Sequence, residues 1–389
     1  MIYVTLLDQF HPGIYSSQVI DVCDYLNKRF KARIRIVAFL SIREIYNTDA
    51  KKRLKELSPS AIVLPAFPGI KNFQLTSFLL FFVCLFTGER VAICRSAFAT
   101  TTALKVRKWG MLKKVIMDGR SALFAEMKEY DVFPVDYLRH NLKRIEMEAV
   151  TNSDYRMAVS QKLISYWQNN YNYSANKQVV IPCTLDGKHF SRNEFSLLEE
   201  TVQIKKELGF MAEDIILVYA GSTAPWQSFA LLENFLSPIL HTQAHFKILF
   251  LSKNNEDNKR MKEKYPHQVF VKWVEHKDVL AHLQCCDYGL LLREQSDTNV
   301  VASPVKFAEY LYGGLKVLIS ENLGDFSQFV REHNCGYVIN KKIGDPSFMK
   351  KMDLEEKIKS FELSQKYFRK DAVLNDNAYK QLLAEINRN

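Results

Sequence analysis

The fold is decided by one stretch, Ser303-Pro-Val-Lys-Phe-Ala-Glu-Tyr-Leu-Tyr-Gly-Gly-Leu-Lys-Val-Leu-Ile-Ser320. Ser303 is a residue type that caps helices and Pro304 suits the first helical position, so the pattern predicts a helix that begins here with free backbone N–H groups. Gly313 and Gly314 end this helix, and the apolar run over 315–319 predicts a buried strand of a parallel sheet. A helix N-terminus beside strand ends is suited to bind an anion.

A second buried strand is predicted just upstream, in the sequence Cys286-Asp-Tyr-Gly-Leu-Leu-Leu-Arg293. Ligands of open α/β sheets bind outside the carboxyl ends of the strands, where Arg293 is expected to lie. We therefore expect Arg293, the helix start at Ser303, Lys306 and Glu309 to converge on one site. Lys306 and Glu309 are three residues apart and share a helix face, and a surface ion pair is the alternative explanation of this spacing.

Together these residues resemble the donor-binding signature of the group 1, or family 4, nucleotide-sugar glycosyltransferases. The resemblance implies an α/β fold of the GT-B architecture, in which two Rossmann-like domains with parallel sheets face a central cleft. It also implies that Glu309 binds the ribose of the nucleotide and that Arg293 and Lys306 contact its diphosphate. The resemblance is strongest over residues 215–339 and fades toward the N-terminus.

The loop over residues 220–227 follows a predicted strand and carries small residues, Gly221 and Ser222, whose backbone amides can approach a phosphate closely. The resembled family usually has an Arg and a Lys in this loop, whereas this chain has Gln227. A second departure is Val301, which stands eight residues before Glu309 where many members carry another glutamate. These departures leave open, as an alternative, a noncatalytic relative that binds a sugar nucleotide or a protein partner.

Another strand is predicted over residues 269–272, and the loop that follows it is the candidate binding site for the nucleotide base. In the resembled family this loop receives the base, mostly through backbone groups. The resemblance therefore implies base binding by Trp273, Val274 and His276. A surface loop role is the alternative for His276.

The length of 389 residues suits two domains, and alternating strand and helix patterns in the first half predict a parallel sheet wrapped by helices. We place an N-terminal Rossmann-like acceptor-binding domain at 1–186, a nucleotide-sugar-binding domain at 187–361, and helices returning to the first domain at 362–389. Three residues of the first domain are candidate acceptor contacts: Gly13, in a predicted loop over 11–17, and Asp118 and Arg120, after a predicted strand. A simple turn at Gly13 and structural ion pairing of Asp118 and Arg120 are the alternatives.

The net charge of +10 lies in the first half, since residues 1–186 carry 26 Lys+Arg against 16 Asp+Glu and the remainder carries 27 of each. The basic excess indicates a membrane surface, a phosphorylated acceptor or nucleic acid as partner, or a charged face kept for solubility.

The apolar run over 75–86 has 12 residues, too few for the roughly 20 of a spanning helix. It is either a core helix or a helix in a membrane interface, the second of which would dock the first domain on the inner leaflet.

The resemblance implies an enzyme that transfers a hexose-type sugar, with retention of configuration, from UDP- or GDP-linked donors to a hydroxyl of a glycan or lipid-linked acceptor. Bacterial surface polysaccharide, lipopolysaccharide or capsule assembly is the implied setting. No metal or other cofactor is implied, and the chain has no Asp-x-Asp triplet.

Seven scattered cysteines and the absence of a signal peptide pattern predict a cytoplasmic protein, with peripheral contact at the inner membrane face left open. A nucleotide-sugar epimerase is a further alternative, and we expect no nucleic-acid partner because no recognisable binding motif occurs.

Overall fold

The structure is a computed structural model that describes residues 1–6, 12–47, 49–67, 70–130, 136–174, 176–221, 227–340 and 346–388. The chain divides into two compact units. The first unit comprises Met1–Gly187 together with Val373–Asn389, and the second comprises Lys188–Ala372.

The first unit is built on a parallel sheet that has seven strands in the described part of the chain, in the order β3-β2-β1-β4-β5-β6-β7. The strands are β1 (Ile2–Leu6), β2 (Arg35–Leu40), β3 (Ile62–Pro65), β4 (Val91–Arg95), β5 (Lys114–Gly119), β6 (Tyr155–Ala158) and β7 (Gln178–Val180). The helices between them are α1 (Pro12–Tyr15), α2 (Asp21–Phe30), α3 (Ile42–Asn47), α4 (Ala50–Leu57), α5 (Thr76–Thr87), α6 (Ser96–Lys108), α7 (Leu123–Tyr130), α8 (Asp136–Asn152) and α9 (Gln161–Tyr171). β1 is buried along its whole length and β2 is buried at every residue except Arg35. Burial on both faces is typical of a parallel sheet that is covered by helices.

The second unit repeats this plan with six described strands in the order β10-β9-β8-β11-β12-β13, all parallel. The strands are β8 (Ile215–Ala220), β9 (Phe246–Leu251), β10 (Val269–Lys272), β11 (Tyr288–Leu291), β12 (Lys316–Ser320) and β13 (Gly336–Ile339). The helices are α10 (Glu199–Glu207), α11 (Phe229–Thr242), α12 (Glu256–Lys264), α13 (Val279–Gln284), α14 (Asp297–Val300), α15 (Val305–Tyr312), α16 (Phe326–His333) and α17 (Leu354–Phe368). The strand order reverses between β8 and β11, so the crevice outside their carboxyl ends is the place where such a sheet binds ligands.

Helix α15 begins one residue later than the sequence predicted. The N-cap position is held by Pro304, with φ −67° and ψ 122°, and no side chain caps the helix. Ser303 is buried, and the prediction that it caps this helix is wrong because the chain is still extended at Pro304. The predicted end at the glycine pair is observed, and Gly314 adopts a φ of +81° that an L side chain would strain.

The start of the first unit also differs from the prediction. Residues from Pro12 onward are helical, in α1 and a π-helical turn over Ser16–Ile20, where the sequence predicted a loop. Proline at the first helical position favours this outcome because its ring fixes φ near the helical value. Gly13 therefore lies in a helix, and in the described part of the chain no atom beyond its neighbours and its own helix backbone lies within 4 Å of where a Cβ would be.

The last helix of the chain, α18 (Val373–Asn387), belongs to the first unit. It contributes Tyr379 and Leu382 to the core that also contains Tyr3 of β1. Helix α17 belongs to the second unit, so the part of residues 362–389 that returns to the first unit is Val373–Asn389. Among the described residues, no helix is both long enough and apolar enough to cross a membrane.

Candidate functional site

A cavity of about 490 Å³ opens at the carboxyl ends of β8, β9 and β10 in the second unit. It is lined by Ala220, Gly221, Leu251, Ser252, Lys253, Trp273, Val274, His276, Val279 and Lys306. The cavity lies beside the point where the strand order reverses, so its position follows from the topology of the sheet. It brings together five of the residues that the sequence proposed for donor binding or catalysis: Gly221, Trp273, Val274, His276 and Lys306.

One wall of the cavity is the end of β8. The amide of Ala220 donates a hydrogen bond to the hydroxyl of Tyr310 at 2.9 Å, which ties the strand end to helix α15. A Cβ on Gly221 would come within 3.2 Å of the Tyr219 hydroxyl and 3.5 Å of Gln227 Nε2, so a larger residue would crowd this turn. Ser222 lies in the segment 222–226, outside the described residues.

Lys306 and Glu309 form an ion pair in the first turns of α15. Lys306 Nζ lies 2.5 Å from Glu309 Oε2, and the side chains are 26% and 4% exposed. The buried carboxylate thus holds the ammonium group at the edge of the cavity. The pair therefore differs from the exposed surface ion pair that the sequence left as an alternative, because one partner is buried. Glu309 is not among the described lining residues, but it contacts Lys306, which does line the cavity.

The sequence analysis missed a second ammonium group at the cavity, Lys253. It is exposed and follows Ser252 directly after the end of β9. The signal was available, because polar residues that follow a buried strand such as Phe246–Leu251 lie at the ligand-binding edge of a parallel sheet. Lys253 and Lys306 therefore place two positive charges around the cavity.

The aromatic side of the cavity is formed by the loop after β10. Trp273 exposes 59% of its surface, so its indole is accessible to a ligand. His276 begins a 3₁₀ turn, and its ring contacts the rings of His189 at 4.5 Å and Phe190 at 5.9 Å between centroids. This loop thus combines an accessible aromatic side chain with a histidine fixed by neighbouring rings.

Arg293 lies behind the cavity wall and is not among the described lining residues. Its amide donates to Ser320 Oγ at 2.8 Å and its guanidinium donates to Asn299 Oδ1 at 3.4 Å. Burial raises the pKa of Tyr219 to about 12, and the positive charge of Arg293 opposes that rise. The predicted contact of Arg293 with a diphosphate stays a prediction, as does a contact at Ser303.

The proposed acceptor-side residues lie in the first unit. Arg120 Nε is 2.8 Å from Asp118 Oδ1, and Asp118 is 1% exposed. The hydroxyl of Tyr3 donates to the same carboxylate. Asp118 and Arg120 thus form the structural ion pair that the sequence held as the alternative, and their contact with an acceptor stays a prediction, as does that of Gly13.

Comparison with solved structures gives this architecture a name. The chain is similar to a glycosyltransferase from Rickettsia africae, with a TM-score of 0.72 and 13% identity over 100% of this chain and 99% of that chain. It is also similar to Anabaena HepE in complex with UDP, with a TM-score of 0.70 and 12% identity over 98% and 99% of the two chains. The chain has the GT-B fold.

The same GT-B fold relates the chain to WaaG, a glycosyltransferase involved in lipopolysaccharide biosynthesis, with a TM-score of 0.56 and 11% identity over 100% of this chain and 96% of that chain. No protein-family model matches the sequence, and no curated protein matches it significantly. The predicted fold class, two Rossmann-like units with parallel sheets, is confirmed. At these identities the likeness establishes the fold.

Proposed function

We propose that the protein is a glycosyltransferase whose donor is a nucleoside diphosphate sugar. The observation that carries this proposal is the cavity at the topological switch of the second unit, which combines an accessible indole with two ammonium groups. An aromatic ring can stack on a nucleotide base, and ammonium groups stabilise a diphosphate. Anabaena HepE, which shares the GT-B fold, was solved with UDP and with UDP and glucose, and this supports a UDP-linked sugar as the donor.

The proposed chemistry relies on positioning and charge. Trp273 and the neighbouring backbone hold the base, and Glu309 binds the ribose once the ligand competes with Lys306 for its carboxylate. Lys306 and Lys253 then stabilise the negative charge that develops on the departing diphosphate. In this proposal the acceptor oxygen attacks the anomeric carbon from the face that the diphosphate leaves, so the configuration is retained. The bond from the anomeric carbon to the new oxygen forms as its bond to the phosphate oxygen breaks, and the departing diphosphate takes the hydroxyl proton. No separate base is then needed, and we propose no metal ion.

The acceptor is a hydroxyl group of a glycan or of a lipid-linked saccharide. The printed role of WaaG in lipopolysaccharide biosynthesis supports a bacterial surface polysaccharide as the product. In this proposal Gly13, Asp118 and Arg120 lie on the acceptor side, and the sugar nucleotide is the only small molecule required besides the acceptor.

A noncatalytic relative that binds a sugar nucleotide is the second candidate. It is favoured by Gln227, which stands where the resembled family carries a loop cation, and by Val301, which is buried where many members carry a glutamate. The two candidates share a binding site and differ in turnover.

Turnover is tested by incubating the full chain with UDP- and GDP-linked sugars and measuring release of the nucleoside diphosphate. Glycosyltransferases hydrolyse their donor slowly without an acceptor, so release above background with one donor is expected. Lys306→Ala should reduce it at least tenfold, whereas Lys359→Ala, which removes an exposed lysine of α17, should not. Binding of a donor without release, with and without added lipid-linked saccharides, would instead identify the noncatalytic relative.

A further inference from the structure

Helix α5 of the first unit has one apolar face packed inward and a second apolar face exposed. Its sequence, Thr-Ser-Phe-Leu-Leu-Phe-Phe-Val-Cys-Leu-Phe-Thr, contains no charged residue. The inward side buries Leu80, Val83 and Cys84. The outward side presents Phe78, Phe82, Leu85 and Phe86, at 51%, 50%, 52% and 83% exposure. The inward side of α5 thus has the burial expected of a core helix, and its outward side has the exposed apolar surface expected of an interfacial helix.

The exposed surface continues onto the end of α6. Trp109 stacks on Phe78 with ring centroids 5.1 Å apart, meets the edge of Phe81 at 6.0 Å, and is itself 39% exposed. We name the surface formed by Phe78, Phe82, Leu85, Phe86 and Trp109 the α5 face. Contiguous exposed apolar side chains of this size are uncommon on proteins without a partner surface.

Basic residues flank the α5 face in the sequence, and two of them pair with carboxylates from other parts of the fold: Arg107 with Asp154 and Lys108 with Glu148. Between residues 71 and 114 the chain carries eight Lys+Arg and a single acidic residue, Glu89, which pairs with the N-terminal amine. Lys105 and Lys108 belong to the last turn of α6, next to Trp109, and Lys105 Nζ lies 3.5 Å from Gln74 Oε1 at the start of α5. Lys71 and Lys113 are also exposed.

We propose that the α5 face docks the protein on a lipid bilayer with anionic headgroups. Aromatic side chains favour the boundary between headgroups and acyl chains, and lysines beside them attract anionic lipid. Twelve helical residues extend only about 18 Å, so α5 lies in the interface and does not cross the bilayer. The exposed lysines Lys71, Lys108 and Lys113 favour an anionic lipid surface as the occupant, and a second copy of the chain is the alternative that sedimentation velocity would detect.

This inference deepens the lipid-linked acceptor of the proposed function, but vesicle binding measures it without any glycosyl transfer. The full chain is sedimented with vesicles of phosphatidylcholine alone and of phosphatidylcholine with about 30% phosphatidylglycerol, at low and moderate salt. Binding at least tenfold stronger to the anionic vesicles is expected, and salt should weaken it only in part because the apolar contact remains. A separate thermal shift with UDP reports the site in the second unit, so the two proposals fail independently.

Two variants divide the apolar and electrostatic contributions. The double variant Phe82→Ser/Phe86→Ser should reduce binding to both vesicle types at least tenfold, since both side chains are half or more exposed and neither supports the core. Lys108→Glu/Lys113→Glu should remove the preference for anionic lipid. Val202→Ser, which removes a side chain 68% exposed in the second unit, is the matched control and should bind as the wild type does.

Tryptophan fluorescence provides a readout that does not depend on those variants. Emission should shift to the blue when anionic vesicles are added, and Trp109→Phe should abolish that shift while vesicle binding persists. The proposal is overturned if the wild type does not bind vesicles, or if Phe82→Ser/Phe86→Ser binds as tightly as the wild type. It is also overturned if sedimentation velocity finds a dimer that the same double variant dissociates.

Discussion

At the scale of single residues, two lysines, Lys253 and Lys306, line the cavity of the second unit. The loop over 220–227 lacks the two cations that the resembled family uses at the diphosphate, and the cavity has ammonium groups on its other walls instead. A charge-assisted hydrogen bond to a phosphate contributes roughly 1.5–3 kcal/mol. If the cavity binds a diphosphate as proposed, these two lysines supply charge from other positions than the loop.

We predict that Lys253→Ala weakens the binding of the preferred nucleoside diphosphate about 10- to 100-fold, which is the affinity equivalent of that free energy. Lys253→Arg should retain most of the affinity, because a guanidinium also binds phosphate. Isothermal titration calorimetry measures both variants. An unchanged affinity in Lys253→Ala would remove this residue from the site.

A second residue-scale prediction concerns a buried carboxyl group of the first unit, Glu146. Its oxygens accept hydrogen bonds from the amides of Leu123 and Phe124 at 3.1 and 2.8 Å and from the Tyr171 hydroxyl at 2.9 Å, which fixes the start of α7. Burial raises the pKa of Glu146 to about 7 despite these bonds. Burial likewise raises the pKa of Glu126 to about 7.

Carboxyl groups with a pKa raised by folding bind protons more tightly in the folded state, so they stabilise the fold at low pH. This contribution is complete below the unfolded pKa of about 4.3 and is lost as pH rises toward 7. We expect the free energy of unfolding to fall by roughly 1–3 kcal/mol between pH 4.5 and 7 on this account. Urea denaturation of the wild type and of Glu146→Gln should show a weaker pH dependence in the variant, and identical slopes would contradict the assignment.

At the scale of elements, helix α15 connects the core of the second unit with the wall of the cavity. Gly289 of β11 faces the ring of Tyr310, and a Cβ there would lie 2.3 Å from two ring carbons. The Tyr310 hydroxyl in turn accepts the hydrogen bond from Ala220 at the cavity wall. The close approach of strand and helix therefore requires glycine, and it connects packing in the core with the geometry of the site.

Gly289→Ala should accordingly destabilise the protein by about 1–3 kcal/mol, the usual cost of overpacking, and should also weaken nucleotide binding. Tyr310→Phe separates the two effects, because it keeps the ring and removes the hydroxyl that accepts from the Ala220 amide and donates to the Leu290 carbonyl. Chemical denaturation with and without UDP measures both. Wild-type stability in Gly289→Ala would show that the ring of Tyr310 moves without cost.

The elements differ in how far the sequence could predict them. The strands β11 (Tyr288–Leu291) and β12 (Lys316–Ser320) could be predicted because buried parallel strands are continuous apolar runs, although β11 ends two residues before Arg293. The starts of α15 and of the helix at Pro12 could not be predicted to the residue. Pro and Ser occur both in extended backbone before a helix and in its first turn, so the sequence does not fix where the helix begins. Lys253 was missed for another reason: a lone lysine after a strand becomes informative only when neighbouring strands are placed beside it.

At the scale of the whole molecule, charge and chemistry are divided between the two units. The basic excess belongs to residues 1–186, while the cavity proposed to bind a nucleotide belongs to the second unit. The α5 face adds an apolar surface to the basic unit. We expect this division to persist in solution as two separable properties, vesicle binding and nucleotide binding, each removed by variants that leave the other intact.

The central claim is that the cavity of the second unit binds a nucleoside diphosphate. The measurement that tests it most directly is the thermal midpoint of the full chain with UDP, GDP, ADP and dTDP, for the wild type, Glu309→Ala and Glu309→Gln. A ligand at 100 times its dissociation constant stabilises the native state by about 2.7 kcal/mol. We predict that one diphosphate raises the midpoint of the wild type and fails to raise that of either Glu309 variant. No shift with any diphosphate at millimolar concentration, or an equal shift in all three proteins, would contradict the claim.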